Sequence, residues 1–362
     1  MNDPFVEQPD QLDRCAYCHD QCMSATPEVV ASGKQTHVVS RVAAVGRMLD
    51  RGEMEWSPEA AAPFFYGLND GWQREYCIFA NEGQRVEPYL RRFRELARSR
   101  GFAPRRVADA LSLARSSGNV FGLERVPLPV PMADGIALIH DAATRALTPG
   151  VVEAAHAVLA HAGAPSADLP VDSCGMAELD LGDRELARRA AQSVGDAVVM
   201  SRASLLVTTD AVLAYAMRFA YPFLGIEVAV PVLHLAEFVV DRILATRGAP
   251  VDVTFHDPAW LSRGLGVVDA PRRVLRRIEG VNLLEAASWG RDAASDGPLA
   301  GYPDPNVAAA IARDRLDELI DTGATIVVTA SPYSQANIAE VARGSLEVVD
   351  LSEFLASRLE LI

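Results

Sequence analysis

"LIHDAATRALTPGVVEAAHAVLAHAG" (138–163) and "TFHDPAWLSRGLGVVDAPRRVLRRIEG" (254–280) align without a gap at a shift of about 116 residues. Each begins with an apolar run closing on His-Asp, then continues with apolar residues at helical spacing. Further along, "SLLVTTDAVL" (204–213) matches "TIVVTASPYS" (325–334). Two copies of one α/β unit account for this pattern, each with strand, helix, long loop, helix and strand. "VDVTFHD" and "ATIVVTA" read as buried strands, and "DPNVAAAIARDRLDELIDTG" (304–323) as a helix with a glycine stop. Paired lobes usually form their site in the cleft between them.

Ahead of the duplication, residues 1–125 read as helical and Arg-rich, with no convincing strand. "SRVAAVGRMLDRG" (40–52), "VEPYLRRFRELARSRG" (86–101) and "RRVADALSLARSSG" (105–118) carry helical periodicity and end at glycines. The Pro-rich stretch "RVPLPVPMADG" (125–135) breaks it. The expected organisation is a helical domain over 1–125, a first α/β lobe over 130–245 and a second over 246–362. The fold class is α+β / α/β.

Among the 362 residues, 49% are hydrophobic and 23% charged, as in ordinary globular proteins. A formal charge of −14 argues against nucleic acid as the main partner. The most apolar region, 203–240, is interrupted by Asp210, Arg218, Pro222 and Glu227. A membrane helix needs about 20 largely uncharged residues, so this region is expected to be buried core. "MNDPFVEQPD" is too polar and acidic for a signal peptide. Five cysteines, three of them clustered, do not form a secreted disulfide framework. A cytoplasmic metal-binding protein is expected.

The cluster is "RCAYCHDQCMSATPEV" (14–29), where Cys15, Cys18 and Cys22 have the spacing C-x2-C-x3-C. Short loops of this kind place thiolates on one corner, where they grip a soft metal centre. Ordinary reduced thiols and a zinc site stand as alternatives. Zinc takes four N or S ligands, and His19 lies within the loop.

With its surroundings, this pattern resembles the CCG-domain iron–sulfur proteins, such as the catalytic subunit of heterodisulfide reductase and the iron–sulfur subunit of glycolate oxidase. "HDPAWLSRGLGVVDAPRRVLRRIEGVNLLE" and "DTGATIVVTASPYSQANI" carry the resemblance most specifically. It implies a helical ferredoxin-like domain followed by two CCG-type lobes. In the family, the first ferredoxin motif ends in Cys-Pro, whereas this chain has Thr26-Pro27. The second motif would fall in "NDGWQREYCIFANEGQRVEPYL" (69–90), where Cys77 alone survives. In two-cluster ferredoxins the fourth cysteine of each motif ligates the other cluster. The resemblance therefore implies a single [4Fe–4S] cluster held by Cys15, Cys18, Cys22 and Cys77, with the second cluster lost. Without Cys77, a three-iron cluster would be the reading. Thr26 and Thr36 are candidate hydrogen-bond donors to it.

The family's lobes use cysteines to bind a further metal centre. Here Ala259, Ser331, Ser334 and Ser173 stand at such positions, Cys174 remains, and the "SDGPLAGYPDP" loop (295–305) has none. Hydroxyls do not replace thiolates at soft-metal sites, so loss of that centre is expected. His140-Asp141 and His256-Asp257 recur in both lobes and are expected to shape turns. Lone Cys174 is expected to be buried and inert, a redox role being the alternative.

The expected function is one-electron transfer within a larger oxidoreductase complex, next to a dehydrogenase or flavoprotein, in a subunit more plausibly non-catalytic than enzymatic. The alternative is an assembly subunit whose cluster, or zinc, is a structural staple. The arginines at 85, 91, 92, 94, 98 and 100 are expected to solvate helix faces, with docking of an acidic partner as the other possibility.

Overall fold

The computed structural model describes residues 5–8, 10–129, 131, 135–243, 248–297 and 301–362. Helices occupy the first part: α1 (Gln11–Ala16), α2 (Pro27–Ser32), α3 (Val39–Asp50), α4 (Pro58–Tyr66), α5 (Trp72–Glu75), α6 (Glu87–Ser99) and α7 (Arg105–Ser117). Among the described residues, the first strand does not appear until Ile136. The helical periodicity seen in the sequence builds the core here. Val39, Val42, Ala43 and Leu49 of α3 pack with Tyr89, Leu90 and Phe93 of α6, and the Phe64 and Phe93 rings stack at 4.6 Å. α3 approaches so closely at Gly46 that a Cβ there would lie 2.4 Å from the Phe93 ring.

Two four-stranded sheets follow, and both are parallel throughout. The first contains β1 (Ile136–His140), β2 (Ser166–Pro170), β3 (Leu205–Thr208) and β4 (Val232–His234), in the order β2-β1-β3-β4. The second contains β5 (Val251–Phe255), β6 (Val281–Leu284), β7 (Ile326–Thr329) and β8 (Glu347–Asp350), in the order β6-β5-β7-β8. The identical orders are the structural form of the sequence repeat. Parallel strands need helical crossovers that cover the sheet faces, which explains the near-continuous apolar runs of β3 and β7. One apolar core joins the sheets, with Leu138, Val207 and Leu235 packing in the same cluster as Val253, Phe255, Val328 and Phe354. Most of the apolar stretch 203–240 is interior, but Phe219, Pro222, Gly225, Glu227, Ala229 and Pro231 are exposed, which corrects the expectation of continuous buried core. No helix among the described residues is long and apolar enough to cross a membrane. The division expected at 125–130 falls partly on residue 130, and that at 245–246 wholly on residues 244–247, outside the described residues. So does part of the 295–305 loop.

The arginines of α6 correct a sequence expectation. Arg91 and Arg94 are buried rather than solvated. Arg91 pairs with Asp180 at 2.6 Å, while Arg94 donates to the carbonyls of Phe64, Gly67 and Asp180. Arg98 donates to the Gly182 carbonyl at 2.7 Å. Gly182 has φ +88, and a Cβ there would sit 2.6 Å from the Arg94 backbone. Arg92 pairs with Glu7 and Asp50, and Arg100 lies over the Trp56 ring. Carbonyls left free at chain ends and turns need donors when buried, and guanidinium groups supply several at once. Arg91, Arg94 and Arg98 thus fasten α6 to residues 180–182, beside the first sheet. On the other side, Arg263 pairs with Asp70 at 3.0 Å and donates to its carbonyl at 2.9 Å.

Candidate metal centre

The four predicted thiols come from two stretches of the helical part. Cys15 lies near the end of α1, Cys18 just beyond it, and Cys22 in the 3-10 turn Gln21–Ala25. Cys77 follows α5, its N–H bonded to the Arg74 carbonyl at 3.2 Å. All four line one pocket of about 500 Å³ including its open mouth, walled also by Val39, Phe79 and Val86. Its interior corner is Cys15, 8% exposed, while Cys18, Cys22 and Cys77 are half-buried.

A reciprocal amide exchange holds the corner together. Gln11 donates to the Gly83 carbonyl at 2.9 Å, and Gln84 donates to the Gln11 carbonyl at 2.9 Å. The same Gln84 Nε2 lies 3.0 Å from Cys15 Sγ. The hydroxyl of fully buried Tyr89 stands beside that sulfur as well. Neither residue carried a signal in the sequence, since a neutral amide and a phenol match no metal-ligand pattern.

Burial pushes the Cys15 thiol up to about 11, partly offset by Tyr89 and Gln84. Cys22 is pushed up to about 12, first by burial and then by the neighbouring sulfurs of Cys15, Cys77 and Cys18. Cys77 moves upward too, chiefly by burial. Gathered, buried thiols keep their protons until a cation displaces them, so metal binding here would be coupled to proton release.

The donor set fits an iron–sulfur cluster, whose irons take Cys thiolates. A tetrahedral zinc site instead needs four donors about 2.0–2.3 Å from a single point. Among the described residues, no three His, Cys, Asp or Glu side chains are grouped so as to hold one ion. The four thiols line one pocket. His19 is exposed and lines a neighbouring groove with Tyr17, Ile78 and Phe79. Thr26, buried, donates its hydroxyl to the Met23 carbonyl at 2.6 Å, and Thr36 is exposed. The two threonines thus supply no observed bond to the thiols, because local backbone demand takes the one and solvent the other.

The substituted positions of the duplicated lobes also come together. Ala259, Ser331 and Ser334 line a second pocket with Trp260, Tyr302 and Asp296. Ser173 and Cys174 line a smaller adjoining one that shares Tyr333 with it. Cys174 is buried, and burial holds its thiol well above the usual range, so it is not poised as a nucleophile. The His-Asp pairs are structural. Asp141 caps the following helix through the Ala143 N–H at 2.8 Å, and Asp257 chelates Arg272 with two contacts of 2.7 Å. His140 meets Asp168 at 2.8 Å, and His256 accepts from Arg315 at 3.0 Å.

No family model matches the chain. It is 29% identical, over 204 residues, to a subunit of the dihydromethanophenazine:CoB–CoM heterodisulfide reductase of Methanosarcina barkeri, covering 52% of this chain and 49% of that protein. The chain is a distant homologue of that protein. It is also 29% identical over 156 residues to a subunit of the fumarate reductase (CoM/CoB) of Methanothermobacter marburgensis, covering 41% of this chain and 31% of the relative. The chain thus spans about half, or less, of the length of these curated relatives. The resemblance to CCG-domain iron–sulfur proteins is borne out as distant homology over about half of the chain. A hypothetical protein from Helicobacter pylori, solved by crystallography, shares the fold with a TM-score of 0.62 at 9% identity, over 97% of this chain and 75% of that one.

Proposed function

We propose that the chain is an electron-transfer subunit of an oxidoreductase complex, carrying one [4Fe–4S] cluster on Cys15, Cys18, Cys22 and Cys77. The observation that carries this reading is the convergence of thiols from residues 15–22 and from residue 77 on one pocket. Bound there, the cluster would supply a one-electron couple, tuned by burial and hydrogen bonds. The chain's part is to hold the sulfurs, keep the Cys15 corner dry, and leave Cys18 and Cys77 near the surface, where a dehydrogenase or flavoprotein can approach. We take residues 1–125 as the cluster domain, and 130–245 and 246–362 as the lobes. The lobe pocket, with hydroxyls and one buried thiol, offers no soft-metal donor set, so the family's second centre is read as lost. The second cluster is read as lost because Thr26 stands where its cysteine would be and Cys77 alone remains in the second motif.

A second reading treats the cluster as a staple. Its support is that Cys15 and Cys22 belong to the packing of the α3–α6 core, so metal binding would add to folding free energy. Anaerobic purification with iron and sulfide analysis, then redox titration followed by electron paramagnetic resonance, tests both. A reversible one-electron couple supports the relay. A centre that cannot be reduced without unfolding supports the staple.

A further inference from the structure

Four sulfurs line the pocket, and the buried one, Cys15, has side-chain donors of two kinds next to it. Gln84, 2% exposed, places Nε2 3.0 Å from Cys15 Sγ. Tyr89 is fully buried near the same sulfur, and its hydroxyl has no hydrogen-bond partner among the described residues, so a donor stands free there. Around Cys22 and Cys77, the hydrogen bonding comes from backbone. The pocket is also asymmetric in burial, with Cys15 at its enclosed corner and Cys18, Cys22 and Cys77 more exposed.

We propose that Gln84 and Tyr89 are positioning residues that set the reduction potential of the centre by donating hydrogen bonds to the Cys15 sulfur. This rests on the cluster reading above. Reduction adds negative charge that is shared with the thiolate sulfurs. A donor aimed at such a sulfur stabilises the reduced state more than the oxidised one, and charge-assisted bonds are stronger than neutral ones. In a dry corner the effect is amplified, because no water competes for the sulfur. Removing a donor therefore lowers the potential. The step is electron transfer alone: one electron comes from the titrant and returns to the oxidant. No bond breaks, and the protons stay on the Gln84 nitrogen and the Tyr89 oxygen.

Gln84 also ties α1 through the Gln11 carbonyl, so a structural effect must be separated from tuning. Gln11→Met breaks the reciprocal Gln11–Gly83 bond while leaving the donor to sulfur in place. The experiment is an anaerobic redox titration of the cluster-loaded full chain, comparing Gln84→Met, Tyr89→Phe and Gln11→Met with the parent, with iron and sulfide measured on each. Gln84→Met and Tyr89→Phe should each lower the midpoint. The fraction reduced at a fixed potential should change by up to about tenfold, about 59 mV for one electron. Gln11→Met should leave the midpoint in place. Equal midpoints in all loaded variants, or an equal shift in Gln11→Met, would overturn the proposal. A parent without iron and sulfide would instead overturn the cluster reading. If Gln84→Met fails to load, Tyr89→Phe decides, since it removes one oxygen and keeps the ring.

Discussion

Asp70 and Arg263 form a buried ion pair, Oδ2 to Nη2 at 3.0 Å, between residues 193 positions apart in the chain. Asp70 also accepts the Trp72 N–H at 3.0 Å, at the first residue of α5, the short helix that leads to Cys77. Arg263 completes its bonding on the carbonyls of Asp70, Arg291 and Ala293. Arg263 thus ties the segment leading to Cys77 to residues 291–293.

Arg263→Met should therefore act on both stability and metal content. Removing one partner of a buried pair leaves an uncompensated charge, at a cost of about 3–5 kcal/mol. Denaturant unfolding should show that loss, and iron per chain should fall although no thiol is changed. Asp70→Asn with Arg263→Met should recover part of the stability.

The thiols are tested individually. Cys15→Ser, Cys18→Ser and Cys22→Ser should each abolish the iron signal, and Cys174→Ser should leave it intact. Cys77→Ser should lower iron as well. Full iron and an unchanged spectrum in Cys77→Ser would remove that residue from the ligand set and favour a three-iron cluster.

Glu178 supplies a pH test away from the metal. It is buried beside Ser173, whose hydroxyl donates to it at 3.0 Å, and burial raises its carboxyl to about 7. A raised folded value means that the native chain keeps a proton the unfolded chain releases. Glu178 therefore costs stability as pH rises from about 4.5 through about 7. Glu178→Gln abolishes this titration. Relative to the parent, the variant should gain about 3 kcal/mol between pH 4 and pH 8, read by denaturant unfolding at both. An unchanged difference at the two pH values would show that the folded carboxyl titrates as it does in the unfolded chain.

Gly46→Ala tests the α3–α6 contact. The added methyl would enter the Phe93 ring, and overpacking of this kind costs about 1–3 kcal/mol. A lowered Tm is expected, and an unchanged Tm would mean that the ring has room to move.

Much of the fold was legible because it repeats. His140 and His256 mark equivalent strand ends, and the apolar runs before them form β1 and β5 in matching sheet positions. The cysteine stretch was legible because thiol spacing is chemically distinctive. What remained hidden depends on distance in the chain. Arg91 and Arg94 look like a solvated stripe until residues 180–182 are brought against them, because a sequence does not show which carbonyls a fold will bury. Gln84 and Tyr89 were invisible for a similar reason, since their meaning comes from standing beside Cys15.

The central claim is tested most directly by iron and acid-labile sulfide analysis of anaerobically purified protein, with electron paramagnetic resonance of the reduced sample. About four irons and four sulfides per chain and a single one-electron signal are predicted. Colourless, zinc-loaded protein, or two iron centres per chain, would contradict it.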